Sequence, residues 1–366
     1  MRIETLGHAT LLLSDPGGRP VLATDPWLVG SCYWRSWWLE NSPTPQQIER
    51  VAAARWIYLT HEHPDHLHPP SLRRLGARAE VLLPDFPALK MEAYLAAEGW
   101  RTRRLVPAAW TALEPGLRVM SLPLWNNDSI LLIETPEALV VNLNDAKPDA
   151  VALARIGALN RALGKRCVLL RSYSPAAPVN SYFRDGERLA GRGYAKAVQR
   201  ACRLVGADDY IPFASQVVFG RPDTEWANAY KVRHRDLERA WRAAGTRLLA
   251  PYSALDLATG EARAPAVAEY RAPEPERVGR AVAAQMTANA AARWDEADRR
   301  RLQSVLGALY LPLLFLFPRG FAIRADGVAL AWESLRGRLV EARRGGHFAL
   351  NLPLLPLKEA LANGHA

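Results

Sequence analysis

Four of the chain's eight histidines fall within the eight residues His61 to His68, in the run Leu59-Thr60-His61-Glu62-His63-Pro64-Asp65-His66-Leu67-His68. The order His-x-His-x-Asp-His suits a dinuclear metal site. His61 and His63 stand at i and i+2 of an extended segment, face the same side and can approach one ion. Asp65 and His66 lie past a turn that Pro64 helps to fix, so they can aim at a second. A solvated histidine-rich loop would explain neither this order nor what precedes it. Trp56-Ile57-Tyr58-Leu59 is apolar, aromatic and β-branched, as a short buried strand should be. A strand that ends in such a cluster places its ligands at the mouth of a sheet.

The motif resembles the metallo-β-lactamase superfamily. Over roughly the first two thirds of the chain, the resemblance implies an αββα sandwich with metals at the edge between two sheets. Gly7-His8-Ala9-Thr10 resembles the opening of the branch that includes ascorbate-6-phosphate lactonases and N-acyl-phosphatidylethanolamine phospholipases, where it borders the metal pocket. His8 is then a substrate-pocket residue, or a hydrogen-bonded structural histidine in a strand. The same branch carries Asp-Pro where this chain has Asp25-Pro26. Asp25 would orient a ligand histidine or serve as a turn residue before proline. Most superfamily members place a third metal histidine near Leu124-Trp125-Asn126-Asn127-Asp128-Ser129, but this segment has none. Asp128, Asn127 or Asn126 must substitute, or the first ion keeps an open position. Asp145, at the end of Leu139-Val140-Val141-Asn142-Leu143-Asn144, matches the bridging aspartate, since a carboxylate between two cations gains from both charges. Its other reading is a helix cap before Lys147-Pro148.

The superfamily's last histidine is also missing: Ala214, Ser215 and Gln216 occupy its place, and His234 lies too far along to replace it. Pro212-Phe213-Ala214, the turn Asn144-Asp145-Ala146-Lys147-Pro148 and the segment Tyr173 to Phe183 resemble the metallo-β-lactamase-like domain of CMP-N-acetylneuraminate hydroxylases. That likeness extends to Leu248 through Leu257. Those hydroxylases also use a Rieske cluster, which needs paired Cys and His ligands; this sequence has no such pairs.

Trp34, Trp37 and Trp38 follow Trp27, giving four tryptophans in twelve positions without a regular period. Beside a metal site they could clamp an aromatic, sugar or acyl group; alternatively they fill the space under the loop.

The elements that must position these residues read as α/β layers. Strands are expected at Ile3 to Leu13, Val21 to Ala23, Val81 to Leu83, Arg103 to Val106, Leu117 to Pro123, Leu139 to Asp145, Val168 to Leu170 and Asp209 to Ala214. Helices are expected at Pro43 to Ala54, Pro70 to Leu75, Leu89 to Glu98, Val151 to Leu163 and Arg184 to Val205. The metallo-β-lactamase-like domain is placed at 1–263 and a C-terminal α+β appendage at 264–366. In the appendage, Val278 to Ala292 and Trp294 to Leu306 read as helices. Leu313 to Phe317 and Gly320 to Ile323 read as a hairpin around Pro318-Arg319. The apolar run Ala308 to Phe317 contains Pro312 and is too short to span a bilayer; it reads as a buried strand or as a contact for a lipid-like partner.

The 366 residues, 49% hydrophobic, allow two domains with a sizeable core, and the net charge of +10 is scattered rather than in runs. Nucleic-acid binding is therefore not expected. Three widely spaced cysteines make no disulfide framework, and the N-terminal residues lack a signal-peptide core, so a cytoplasmic setting is inferred. The leading function is a metal-dependent hydrolase acting on a small molecule. His61, His63, Asp65, His66, Asp145 and Asp128 would hold two divalent ions (zinc, iron or manganese), and Asp65 or Asp145 would accept a proton. Asp25, His8, Asn127 and the three loop tryptophans would line the substrate pocket. A non-haem di-iron oxygenase with a redox partner is the rival, because oxygen ligands in place of histidines suit iron or manganese. A metal-binding protein without turnover is the third reading, and a homodimer is left open.

Overall fold

A computed structural model describes residues 1–175, 190–265, 272–342 and 348–363. The chain divides into two compact units, Met1–Pro275 and Glu276–Ala366. No described helix is long and apolar enough to cross a membrane.

The first unit is built on two sheets. One runs Ala262–Arg263, Ala254–Asp256, Arg2–Leu6, Thr10–Ser14, Pro20–Thr24, Trp56–Tyr58, Glu80–Pro84 and Arg101–Leu105 in spatial order. The other runs Arg247–Leu248, Asp209–Pro212, Arg166–Arg171, Ala138–Asn142, Ser129–Glu134, Leu117–Pro123 and Thr111–Glu114. Side chains alternate across each strand, and the alternation sorts the core into three layers. Leu11, Leu13, Leu22, Tyr58 and Leu82 meet Val119, Leu131, Ile133, Val140 and Val168 between the sheets. Their neighbours Leu12, Ile57, Val81 and Leu83 face the helices Pro45–Ala52, Pro69–Leu75 and Lys90–Ala97. On the far side, Leu132, Leu139, Val141 and Leu169 pack against Ala150–Leu163 and Ala190–Val205. With both faces covered, the central strands are apolar throughout, as buried parallel strands are.

Local chemistry fixes the helix ends. Thr44 and Gln47 form a reciprocal capping box. Asp149 caps the next long helix through the Ala152 amide, and Gly164 ends it in the left-handed conformation. Gly157 sits where that helix meets its neighbour: a Cβ there would fall 2.0 Å from the Leu204 carbonyl oxygen.

Several expectations need correction. Ile3 to Leu13 is two strands, not one, because the chain turns at Gly7-His8-Ala9. Gly7 has φ +56°, and a Cβ on it would meet the Trp27 carbonyl oxygen at 2.9 Å. The strand before Asp145 stops at Asn142, and Thr111–Glu114 is an additional strand. Of the segments Tyr173 to Phe183 and Arg184 to Val205, residues 176–189 lie outside the described residues.

In the second unit Tyr310–Leu316 is a helix, not a strand. Pro312 falls in its first turn, where proline is tolerated. Leu311, Phe315 and Leu316 are exposed, so this run is not the buried strand expected. The hairpin forms one step later: Phe321–Ala325 pairs with Val328–Glu333 around Asp326-Gly327. Both turn residues have positive φ, 33° and 89°, which is the two-residue turn that Asp-Gly favours. Arg338–Glu341 and Ala349–Asn351 complete a four-stranded sheet.

Gly157→Ala should force the two helices apart. A loss of about 1–3 kcal/mol is expected for this kind of overpacking, read as a lower urea midpoint with an unchanged slope. An unchanged midpoint would mean that the contact relaxes freely.

Candidate metal centre

The candidate ligands come from segments that follow strand ends. His61 to His66 follow Trp56–Tyr58 of the first sheet, and Asp145 follows Ala138–Asn142 of the second. His61, Asp65 and His66 are buried, whereas His63 is exposed. Two clusters result. The ligand atoms of His61, His63 and Asp145 lie within 4.8 Å of one another, and so do those of His8, Asp65 and His66. His61 Nε2 is 2.8 Å from His63 Nδ1. Asp145 Oδ1 stands between the clusters, 4.0 Å from His61 Nε2 and 3.7 Å from His66 Nε2.

Asp25 orders this arrangement from behind. Its Oδ1 accepts from the Thr60 amide at 2.8 Å, and its Oδ2 accepts from the Thr60 hydroxyl at 2.7 Å and from His66 Nδ1 at 2.9 Å. With Nδ1 committed to the carboxylate, His66 presents Nε2 to the cluster. Asp25 thus stands behind the histidine rather than in a substrate pocket. A second polar chain ties the two sheets together beneath the site. Tyr58 Oη lies 2.8 Å from both Ser121 Oγ and Ser129 Oγ, Ser129 Oγ donates to the Thr60 carbonyl, and Asn144 Nδ2 donates to the Ser129 carbonyl.

Asn144 builds the turn that delivers Asp145. It has φ +42°, a conformation asparagine tolerates. Its amide donates to Asn142 Oδ1, and its own side-chain oxygen accepts from the Asp145 amide. Asp128 lies on the other side of His61, with Oδ1 3.2 Å from Nδ1. It therefore addresses the nitrogen turned away from His63, and its Oδ1 is buried without a hydrogen-bond partner. Asn127 is an exposed turn residue at φ +60°.

His8 belongs with the ligand cluster. Its Nε2 lies 3.2 Å from Asp65 Oδ2, and its ring rests edge-on against Trp27, Trp37 and His66. The Ala214 amide donates to the His8 carbonyl at 2.9 Å. The Pro-Phe-Ala segment, which has no histidine to offer, thereby steadies the turn that carries one.

The aromatic loop holds a residue that the sequence reading passed over. Tyr33 Oη donates to Asp65 Oδ1 at 2.7 Å. Tyr33, Trp34 and Arg35 all have left-handed backbone, φ 49°, 52° and 66°, at a cost of roughly 1–2 kcal/mol for each non-glycine residue. Each of their carbonyls has a donor: the Ser36 amide, the Arg221 guanidinium and the Trp38 indole. Cys32 Sγ adds a bond to the Pro64 carbonyl inside the histidine motif. Trp37 and Trp38, only 6% and 5% exposed, lie in a small sheet with Val217–Phe219 and Ser31–Cys32. Their burial leaves little ring surface for a ligand, and Trp34 is half-buried. His68, the motif's last histidine, caps the helix Pro69–Leu75 through Ser71.

Charge is finely divided here. Burial pushes His61 down to about 3 and lowers His8. Burial also opposes a charge on His66, but Asp145, Asp65 and Asp25 outweigh it and hold the imidazole well above its usual range. Burial and the neighbouring Asp145 push Asp128 up to about 7. Burial works against the Asp65 carboxylate, yet His66 and His8 keep it well below its usual range.

The donor set fits divalent metal. His66 Nε2 and Asp145 Oδ1 are buried without a hydrogen-bond partner, a costly state for polar atoms that a shared cation relieves. His61 Nε2 and His63 Nδ1 face each other at contact distance, as two nitrogens addressing one ion would.

No protein-family model matches the chain. Over 87 residues it is 39% identical to the cytidine monophosphate-N-acetylneuraminic acid hydroxylase of Mus musculus and to the inactive human protein of that name. That stretch is 24% of this chain but 14% of the mouse protein and 16% of the human one. Among solved structures, a possible metal-dependent hydrolase from Veillonella parvula superposes with a TM-score of 0.50 at 9% identity, covering 70% of this chain and 98% of its own. The metallo-β-lactamase fold protein YhfI of Bacillus subtilis covers 69% and 95%, with a TM-score of 0.42 and 12% identity. The fold is metallo-β-lactamase-like. In this metallo-β-lactamase-like frame the two clusters are drawn from segments that follow strand ends of both sheets.

Tyr33→Phe removes a single hydrogen bond from Asp65. One metal ion should bind about 10–100-fold more weakly, the usual effect of losing an outer partner of a ligand, while the thermal midpoint of the metal-free protein barely moves. Equal affinity in both proteins would make Tyr33 a packing residue only.

Proposed function

We propose that this chain is a metal-dependent hydrolase with a dinuclear centre. His61 and His63 would hold one ion, His8, Asp65 and His66 the other, with Asp145 between them. The observation that carries the reading is the pair His61 and His63 on one side, and the trio His8, Asp65 and His66 on the other, of an Asp145 oxygen that has no hydrogen-bond partner. The same placement lets His8 stand in for the superfamily's absent last histidine. Bound divalent ions would make a water molecule acidic enough to ionise near neutral pH and would polarise a substrate oxygen.

The chain's own groups do the rest. Asp25 holds His66 in one tautomer, and Asp128 faces the outer nitrogen of His61. Asp65 is engaged by Tyr33, His8 and His66, so it serves as an anchor. Asp145 Oδ1 faces His61 and His66, so it would touch both ions, and a proton would go to its other oxygen. The substrate is a small molecule; phosphoester, lactone, amide and thioester chemistry all suit such a centre.

A second reading, a di-iron oxygenase served by a redox partner, is favoured by the 39% identity to the hydroxylases. Because the match spans 14% of that protein, hydroxylase activity is carried over only as this alternative. Elemental analysis of protein purified without added metal separates the two. Zinc or manganese with ester or lactone cleavage supports hydrolysis; iron with oxygen consumption supports the oxygenase.

His61→Ala and His66→Ala should each lose metal and activity; both rings are buried, so a circular dichroism spectrum of wild-type shape is the check that each variant is folded. Asp145→Asn should retain about one ion per chain. Chelation should lower the melting temperature of the wild type, and readdition should restore it: an ion at one hundred times its dissociation constant is worth about 2.7 kcal/mol. Wild-type metal content in both histidine variants would remove the dinuclear reading.

A further inference from the structure

A separate cavity of about 830 Å3 opens in the first unit and shares no residue with the metal centre. One wall is the helix Ala190–Val205, through Ala195, Lys196 and Gln199. The others are the segment from Asn228 to Arg233 and the helix His234–Ala240. Its lining carries six cationic side chains, Lys196, Lys231, Arg233, Arg235, Arg239 and Arg242, against one carboxylate, Asp236. That carboxylate is already committed, since it accepts from the Arg233 amide at 2.8 Å.

The floor is fixed. Gln199 donates to the carbonyls of Ala195 and Ala240 and accepts from the Arg242 amide, which locks the helix Ala190–Val205 to the end of His234–Ala240.

A surplus of arginine on a basic chain is ordinarily a solvated face. Elsewhere some arginines are paired, Arg19 with Asp15 and Glu114, Arg50 with Glu4, Arg104 with Asp85 and Glu92, and both Arg166 and Arg247 with Asp209, whereas others are solvated singly on the surface. Among the described residues, Lys196, Arg235 and Arg239 form no ion pair. What distinguishes Lys196, Arg235 and Arg239 is that all three, each at an exposed position, line the same hollow. Its volume lies within the range of roughly 300–1,000 Å3 typical of small-molecule sites.

We propose that this cavity binds a compact polyanion, an organic molecule carrying two or more phosphate groups. Lys231 is turned to the Val217 carbonyl, which leaves five cations against the single carboxylate of Asp236 in the lining, an excess that calls for a ligand with several negative charges. Planar guanidinium groups suit phosphate oxygens because they can donate two parallel hydrogen bonds. The size of the hollow favours a small molecule over a nucleic-acid backbone, which would need a longer basic track.

Isothermal titration of the metal-loaded protein with inorganic tripolyphosphate tests the proposal. One ion per chain is expected, with affinity at least tenfold weaker in an Arg235→Ala, Arg239→Ala double variant and unchanged in wild-type protein stripped of metal. Should the double variant unfold, Lys196→Gln, at an exposed position, takes its place with the same expected direction. Binding that is lost in the metal-stripped protein but kept in the cavity variants would put the anion at the metal centre and overturn the proposal. Binding no tighter than that of sulfate at equal ionic strength would reduce the cavity to a solvated basic face. Displacement of tripolyphosphate by a single-stranded oligonucleotide that occupies several chains at once would assign the surface to nucleic acid instead.

Discussion

The buried carboxylate of Asp25 is the constraint on which the centre depends. A buried charge is tolerable only when its oxygens are occupied, and those of Asp25 are taken by the Thr60 amide, the Thr60 hydroxyl and His66. The three bonds fix the exit of the strand Trp56–Tyr58 and the face that His66 turns outward. Asp25 itself has positive φ, 41°, and its amide donates to the Tyr58 carbonyl. Two neighbouring parallel strands are therefore clamped where the histidine motif begins. Removing the carboxylate would leave two donors and an imidazole without partners in the interior, a larger loss than one hydrogen bond.

From that clamp the polar order spreads through Thr60 and Ser129 to the second sheet and through Asn144 to Asp145. Most of the interior between the sheets is apolar and would accept small slips at modest cost. The Tyr58, Ser121 and Ser129 hydroxyls do not, because each needs its partners at hydrogen-bond distance. The left-handed turn at Tyr33 to Arg35 closes the site from the other side. It is held open against its own backbone preference by three carbonyl acceptors and the Cys32–Pro64 contact, an arrangement typical of strain kept at functional sites.

Much of the fold was legible because alternation within apolar strands is a local signal. Ile57 against Trp56 and Tyr58, or Leu82 against Val81 and Leu83, divides the layers without tertiary knowledge. The histidine motif stood out by type and spacing, and Asp145 by the resemblance; their ligand atoms lie close together in the structure. What was not legible depended on chain segments far apart. Tyr33 reaches Asp65 only because three successive residues adopt a conformation that sequence does not advertise. His8 joins Asp65 and His66 through a turn that a continuous strand reading hid; Gly7 was the available signal. In the second unit a short apolar run containing Pro312 fits helix or strand alike, and the Asp326-Gly327 pair was the cue for the hairpin.

The two-sheet origin of the site also bears on when it comes into existence during synthesis. His8 and the histidine motif precede Asp145 in the chain, and Asp145 follows the hairpin Leu117–Pro123 to Ser129–Glu134. Its aim further requires the strands Ala138–Asn142 and Arg166–Arg171 side by side, since the Asn144 carbonyl is held by the Ser172 amide. A nascent chain thus displays imidazoles without the carboxylate that would make them selective. The complete candidate donor set belongs to the finished sandwich and exists only once both sheets have formed.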